Sequence, residues 1–268
     1  MEIESITLKG GYDKSGKGEA VQNVVFRMGD IASIVGPTGC GKTTLINDIE
    51  LFSNRDTPSG RCMLINGLAA DAGDEVSDNG SHPIALISQH TNFLSDLPVS
   101  EFLEIHAGVR RHTSVDQVVE ETLNFANQLT GEPLIRESAM TELSGGQTRA
   151  LLIADAVIIG NAPIILLDEI ENAGIHRTRA LELLKKYRKI FVFATHDPRI
   201  ALLSDYRIVM ENGGMKKIIV GDRDEQEVAR EISKLDDVLL HFRDRIRQGE
   251  HLTSHEFAGH LRALGYFA

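Results

Sequence analysis

The chain has 268 residues, 42% of them hydrophobic and 25% charged, which is ordinary for a soluble globular protein and long enough for one large or two small domains. Lys plus Arg number 28 against 39 Asp plus Glu; a formal charge of −11 argues against a general nucleic-acid surface, which would need a basic stripe. The longest apolar stretch, Ala156 to Leu167, is interrupted by Gly160, Asn161 and Pro163 and falls short of the roughly 20 residues a membrane span requires.

Met1 to Ser5 lacks the basic-then-apolar profile of a secretion signal. The two cysteines, Cys40 and Cys62, form neither a disulfide framework nor a zinc spacing, and a reducing cytosol is the simple expectation.

In chain order, Ile3 to Leu8 and Gln22 to Phe26 read as strands around a Gly-rich turn from Gly10 to Gly18. Ile31 to Val35 is a short apolar, β-branched run that reads as a buried strand. Thr43 to Phe52 has helical spacing. Arg61 to Ile65 is a further strand, closed by the turn pair Asn66-Gly67, and the acidic stretch Ala69 to His82 reads as loop. Pro83 to Ser88 is a core strand. Helical spacing covers Val99 to Ala126 and returns over Gly146 to Ile159. Pro163 to Leu167 and Ile190 to Ala194 are apolar strands separated by a helix over Thr178 to Tyr187. Val209 to Val220 divides into two short strands at Asn212-Gly213-Gly214. This alternation predicts an α/β fold with a largely parallel core sheet.

Beyond Asp222, the residues Val228, Ile232, Leu235, Leu239, Phe242 and Ile246 share one helical face. Thr253 or Ser254 caps a last short helix. The tail is expected to pack on the preceding domain, with a regulatory or dimerising appendage as the rival reading.

Between the Ile31 strand and the Thr43 helix lies Gly36-Pro37-Thr38-Gly39-Cys40-Gly41-Lys42-Thr43-Thr44, which fits the phosphate-loop pattern G-x-x-x-x-G-K-[ST]. Glycines on a strand-to-helix turn let backbone N–H groups converge on a polyphosphate, and the helix start adds about half a positive elementary charge. Lys42 can reach the β- and γ-phosphates, and the Thr43 hydroxyl can ligate Mg²⁺. Cys40 satisfies the need for a small side chain in this loop; a reactive thiol at the helix start is the alternative.

Four further pieces stand at strand ends or at a helix start. Ile164 to Leu167 runs into Asp168-Glu169, where Asp168 fits a Mg²⁺-side carboxylate and Glu169 fits the base for an attacking water. Leu143-Ser144-Gly145-Gly146-Gln147 precedes a helix that Ser144 can cap while two bare glycines admit an anion. Gln89 ends the Ile84 to Ser88 strand. Ala194-Thr195-His196-Asp197 places His196 at a strand end, as a γ-phosphate contact.

Together these motifs, in this order, resemble the nucleotide-binding domain of ATP-binding cassette (ABC) proteins over Glu2 to Gly221. The resemblance implies a P-loop NTPase (RecA-like) core with an antiparallel β-subdomain and a helical subdomain inserted over about residues 95–160. It places the ATPase domain at 1–221 and a C-terminal helical extension at 222–268. It implies ATP and Mg²⁺ as cofactors, with Glu169, His196, Gln89 and Lys42 as catalytic residues. Thr43, Gln89 and Asp168 would serve the metal, and Tyr12 would stack on adenine. It further implies a head-to-tail dimer, either a homodimer or a paired ABC subunit, in which Ser144, Gly145, Gly146 and Gln147 of a second copy complete each nucleotide site.

The sequence departs from the family at Ile170 to His176, where a Pro and a Ser-Ala-Leu-Asp-like segment are usual, and at Asp155, where an arginine is common. Two outputs are compatible with these residues. One is a transporter engine bound to membrane permease subunits on the inner face of a membrane; the other is a soluble ATPase that remodels a protein complex without transport. No nucleic-acid partner is expected.

Overall fold

The computed structural model describes residues 2–69, 82–88, 90–93, 95–169 and 177–266. They form two compact units, Met1–Val220 and Gly221–Ala268.

The first unit contains two sheets. Strands β1 (Ser5–Lys9), β2 (Asn23–Arg27), β4 (Cys62–Ile65) and β5 (Leu68–Ala69) pair antiparallel in the order β2-β1-β4-β5. Alternation is plain here: Ile6, Leu8, Val24 and Phe26 point inward while their neighbours face outward, as a sheet with one covered face requires. The second sheet joins β3 (Ile31–Val35), β6 (Ile84–Ser88), β7 (Ile164–Asp168), β8 (Ile190–Ala194), β9 (Tyr206–Glu211) and β10 (Gly214–Val220). Its order is β10-β9-β3-β8-β7-β6, parallel except for the β9–β10 hairpin at one edge.

The central strands are buried on both faces, and their parity splits them between two cores. Ile165, Leu167, Phe191 and Phe193 face a helical layer. Ile164, Leu166, Ile190 and Val192 face the antiparallel sheet and the helix α1 (Lys42–Glu50) through Leu45, Ile46 and Ile49. A continuous apolar run is what a parallel sheet covered on both sides demands.

The helical layer comprises α2 (Val99–Val109), α3 (Val115–Leu129), α4 (Gly145–Val157) and α5 (Arg177–Leu184), with a 3-10 turn at Met140–Glu142. The single helical stretch expected over Val99 to Ala126 is two helices. Arg111 adopts a left-handed φ of 59°, which ends α2, and α3 starts after Ser114. Asp155 of α4 pairs with His106 of α2 at 2.7 Å, so this departure in the sequence is an internal tie between two helices. A short helix, α6 (Pro198–Leu203), went unread; only six residues long, it is started by Asp197, which accepts from the Arg199 N–H.

In the second unit, α7 (Arg223–Arg247) is capped by Asp222, and α8 (Ser254–Ala263) by a reciprocal Thr253–Glu256 capping box. Phe242 meets Phe257 at a centroid distance of 5.5 Å, and Arg245 bridges Glu250 and Glu256, folding α8 back on α7. Of the apolar face read on α7, Phe242 is buried, while Val228, Leu235, Leu239 and Ile246 are exposed.

Candidate functional site

Parallel pairing aligns the C-terminal ends of four strands. Asp168 lies beside Ala194 on one side and Ser88 on the other, and Ala194 lies beside Ile34. The chain that leaves β3, β7 and β8 therefore emerges along one edge of the sheet, where α/β folds bind ligands.

The loop after β3 needs its glycines. Gly36 has φ 150°, and a Cβ there would come within 2.5 Å of the Met210 carbonyl and 2.7 Å of the Cys40 sulfur. Gly41 has φ 101° and precedes α1 directly; its Cβ would sit 3.0 Å from Gly213 Cα. Side chains would lift the loop off the β9–β10 turn. Cys40 is buried, as a small filler in this packing would be. Pro37, Thr38, Gly39, Thr43 and Thr44 are solvent-exposed, so the loop and the helix start face outward.

Lys42 is buried, yet its Nζ curls back over the loop, 3.2 Å from the Gly36 carbonyl and 3.1 Å from His196 Nε2. The same His196 nitrogen lies 3.2 Å from Glu169 Oε1. One ring nitrogen cannot serve both: Nε2 accepts from Lys42 in one tautomer or donates to Glu169 in the other. Lys42, His196 and Glu169 thus form a chain across the ends of three elements. Glu169 has φ 51°, a left-handed conformation that costs a non-glycine residue about 1 kcal/mol or more, and its N–H continues the ladder to the Ala194 carbonyl.

The Thr43 hydroxyl donates to Asp168 Oδ2 at 3.3 Å. A hydroxyl and a carboxylate at this separation are hard oxygen donors, the set Mg²⁺ prefers when phosphate and water supply its remaining ligands. No group of three His, Cys, Asp or Glu side chains suited to a metal occurs among the described residues.

Ser144 is the N-cap of α4. Its hydroxyl accepts from the Gln147 N–H, and Gln147 Oε1 accepts from the Ser144 N–H at 2.9 Å. Gln147 Nε2 also donates to the Pro133 carbonyl, and Arg149 donates to that of Gly145. These bonds hold Gly145 and Gly146 at the start of a helix. Tyr12 is 57% exposed, with its N–H held by the Ser59 carbonyl. Gln89 and the atypical segment 170–176 lie outside the described residues.

Several supports were not read from the sequence. Lys14 Nζ donates to the Gly39 carbonyl at 2.8 Å. Asp197 and Arg199 form a buried pair at 2.7 Å directly after His196. Arg61, Glu19 and Asp48 form a buried cluster. A lone charged residue in a turn or strand carries no signal of its buried partner, which is set by topology.

The sequence pattern of the ABC transporter family matches residues 22–172. An uncharacterized ABC transporter ATP-binding protein of Methanocaldococcus jannaschii is 48% identical over 261 residues, covering 96% of this chain and 98% of that protein. A spermidine/putrescine import ATP-binding protein, PotA, of Legionella pneumophila is 30% identical over 80% of this chain, which spans only 58% of that relative's length. Among solved structures, a dimer of the ATP-binding cassette MJ0796 with ADP and Pi aligns with a TM-score of 0.60 at 24% identity, covering 80% of this chain and 98% of that one. CbiO1 of Clostridium perfringens, part of a CbiONQ transporter complex, aligns at 0.60 and 22%, covering 89% and 96%.

Proposed function

Because this chain belongs to the ABC transporter family, as one of its ATP-binding chains, we propose that two copies bind and hydrolyse ATP between them and drive separate membrane permease subunits. The observation that carries the reading is the convergence of Lys42, Thr43, Asp168, Glu169 and His196 on one sheet edge.

The backbone N–H groups of the Gly36–Thr44 loop and the Lys42 ammonium take the β- and γ-phosphates. Thr43 and Asp168 would hold Mg²⁺, which neutralises phosphate charge when bound. Glu169 accepts a proton from water as the water oxygen attacks the γ-phosphorus and the bond to the β-phosphate oxygen breaks. When its Nε2 carries the proton, His196 donates to Glu169; with ATP bound that N–H would turn to the γ-phosphate, while Lys42 leaves His196 for the phosphates. Gln89, by family resemblance, serves the metal and the attacking water. Tyr12 offers an exposed aromatic face for adenine.

Ser144 and Gln147 bond to each other and to Pro133. The Gly145 and Gly146 N–H groups belong to the first turn of α4, where a helix supplies no acceptor, and would suit an anion supplied from elsewhere. A second copy brings them to the γ-phosphate, and ATP favours the closed pair by binding it better than the open one. No helix among the described residues is long and apolar enough to cross a membrane. By family resemblance the permease subunits this chain would drive are separate chains, and it would work on their cytoplasmic side.

The test is Glu169→Gln with ATP and Mg²⁺, followed by light scattering and phosphate release. The variant is expected to bind ATP, accumulate as a dimer and hydrolyse at least about a hundredfold more slowly. Wild-type turnover by the variant removes Glu169 as the base. Affinity purification of the wild type is expected to recover permease subunits; recovery of soluble partners alone replaces transport by remodelling.

A further inference from the structure

A guanidinium is buried behind the phosphate loop. Arg61, immediately before β4, has a fully buried side chain and divides its donors among three elements. Nη1 donates to Asp48 Oδ2 on α1 at 2.7 Å. Nε and Nη2 form a fork on Glu19, with Nη2 at 2.5 Å from Oε1. Nη2 also donates to the Gly213 carbonyl in the β9–β10 turn at 2.7 Å.

Each of these partners holds a piece of the candidate site. Asp48 lies on the helix that begins with Lys42 and Thr43. The Gly213 N–H donates to the Cys40 carbonyl inside the phosphate loop at 2.9 Å. Glu19 accepts from the Gly11 N–H at 2.8 Å, adjacent to Tyr12, and from the Met215 N–H at 2.7 Å. The Ser59 hydroxyl donates to Asp48 at 2.8 Å, while the Ser59 carbonyl holds the Tyr12 N–H.

Resting on the ATP-binding reading above, we propose that Arg61 is a positioning residue that fixes the Tyr12 turn relative to the phosphate loop. Both ends of one nucleotide are thereby gripped at a set separation. A stiff planar fork suits this task, because it bonds several fixed acceptors at once; a lysine ammonium keeps the charge but is a point donor on a flexible stem. Two carboxylates and a carbonyl packed around one cation also leave little room for another arrangement.

The test is a double-mutant cycle on ATP affinity, measured with the full chain by calorimetry for Arg61→Lys, Tyr12→Ala and the pair. In wild type, Tyr12→Ala is expected to weaken ATP about tenfold, the scale of one base stack. In the Arg61→Lys background the same change is expected to cost less than about twofold, since the ring is no longer held in place. Equal costs in the two backgrounds overturn the proposal and leave Arg61 as a structural residue. So does a Tyr12→Ala variant that binds like wild type.

Should Arg61→Lys fail to fold, Glu19→Gln replaces it in the cycle. It keeps the side-chain shape and loosens the fork from the Tyr12 side, and the same two outcomes decide. Failure of the parent reading is distinct: wild type then binds no ATP, and Lys42→Ala changes nothing.

Discussion

Thr43 and Asp168 are 125 residues apart in the chain and meet at 3.3 Å, joining the first turn of α1 to the end of β7. The hydroxyl belongs to the phosphate-loop side and the carboxylate to the proposed hydrolytic side, so an ion held by both would register one against the other. Thr43→Ala is expected to leave the fold intact, because the residue is exposed, and to raise the Mg²⁺ concentration for half-maximal ATP hydrolysis about tenfold or more. A magnesium titration of phosphate release checks this; an unchanged midpoint removes Thr43 from the metal.

Lys42 curls back toward the Gly36 carbonyl, a position its charge would leave for a phosphate. Lys42→Ala is expected to weaken ATP binding about tenfold to a hundredfold, the worth of one charged hydrogen bond. Equilibrium binding of a fluorescent ATP analogue to the two proteins decides the point, and equal affinities refute it.

Gly145 offers a way to separate pairing from folding. A Cβ there meets only the flexible end of Arg149, at 3.2 Å, and an acid in the first helical turn is favoured by the helix dipole. Gly145→Asp is therefore expected to melt within a few degrees of wild type and to bind ATP as a monomer. Combined with Glu169→Gln, it is expected to abolish the ATP-trapped dimer through repulsion of the γ-phosphate. A dimer of undiminished stability in ultracentrifugation counts against the head-to-tail arrangement.

Lys189, immediately before β8, is buried, and its Nζ donates to Asn161 Oδ1 at 2.7 Å and to the Ala162 carbonyl at 3.0 Å. Burial lowers its pKa from 10.5 to about 8. The unfolded chain then holds a proton that the folded chain has released over about pH 8 to 10.5, so raising the pH through this window stabilises the fold. Tyr206 works in the opposite sense. Burial, then the nearby Asp30 charge, raise its pKa far above the ordinary tyrosine value of 10.0, and stability falls once unfolded tyrosines ionise. Urea unfolding at pH 7.5 and 9.5 is expected to show a gain on the order of 1 to 3 kcal/mol in wild type. In Lys189→Met that gain disappears; if it persists, Lys189 is not its source.

Much of this architecture was written locally. The phosphate loop is a contiguous run, so its glycines, Lys42 and Thr43 declare themselves without knowledge of neighbours. The apolar strands ending at Asp168 and Ala194 are equally plain, because a strand buried on both faces needs apolar residues throughout. Short elements were harder. The six residues of α6 hold too few turns for periodicity, and the break between α2 and α3 rests on one left-handed arginine.

Sequence alone therefore singled out Lys42, Thr43, Asp168, Glu169 and His196 as candidates and placed each at a helix start or next to a strand end. Only the tertiary structure decided which of them meet. Lys42 and His196 are 154 positions apart, and Arg61 and Gly213 are 152; their contacts exist because the strand order β10-β9-β3-β8-β7-β6 sets β8 beside β3 and because the β9–β10 turn folds under the loop. Periodicity reports which face of an element is buried. It carries no record of which neighbour does the burying, and that choice belongs to the free energy of the whole packed chain.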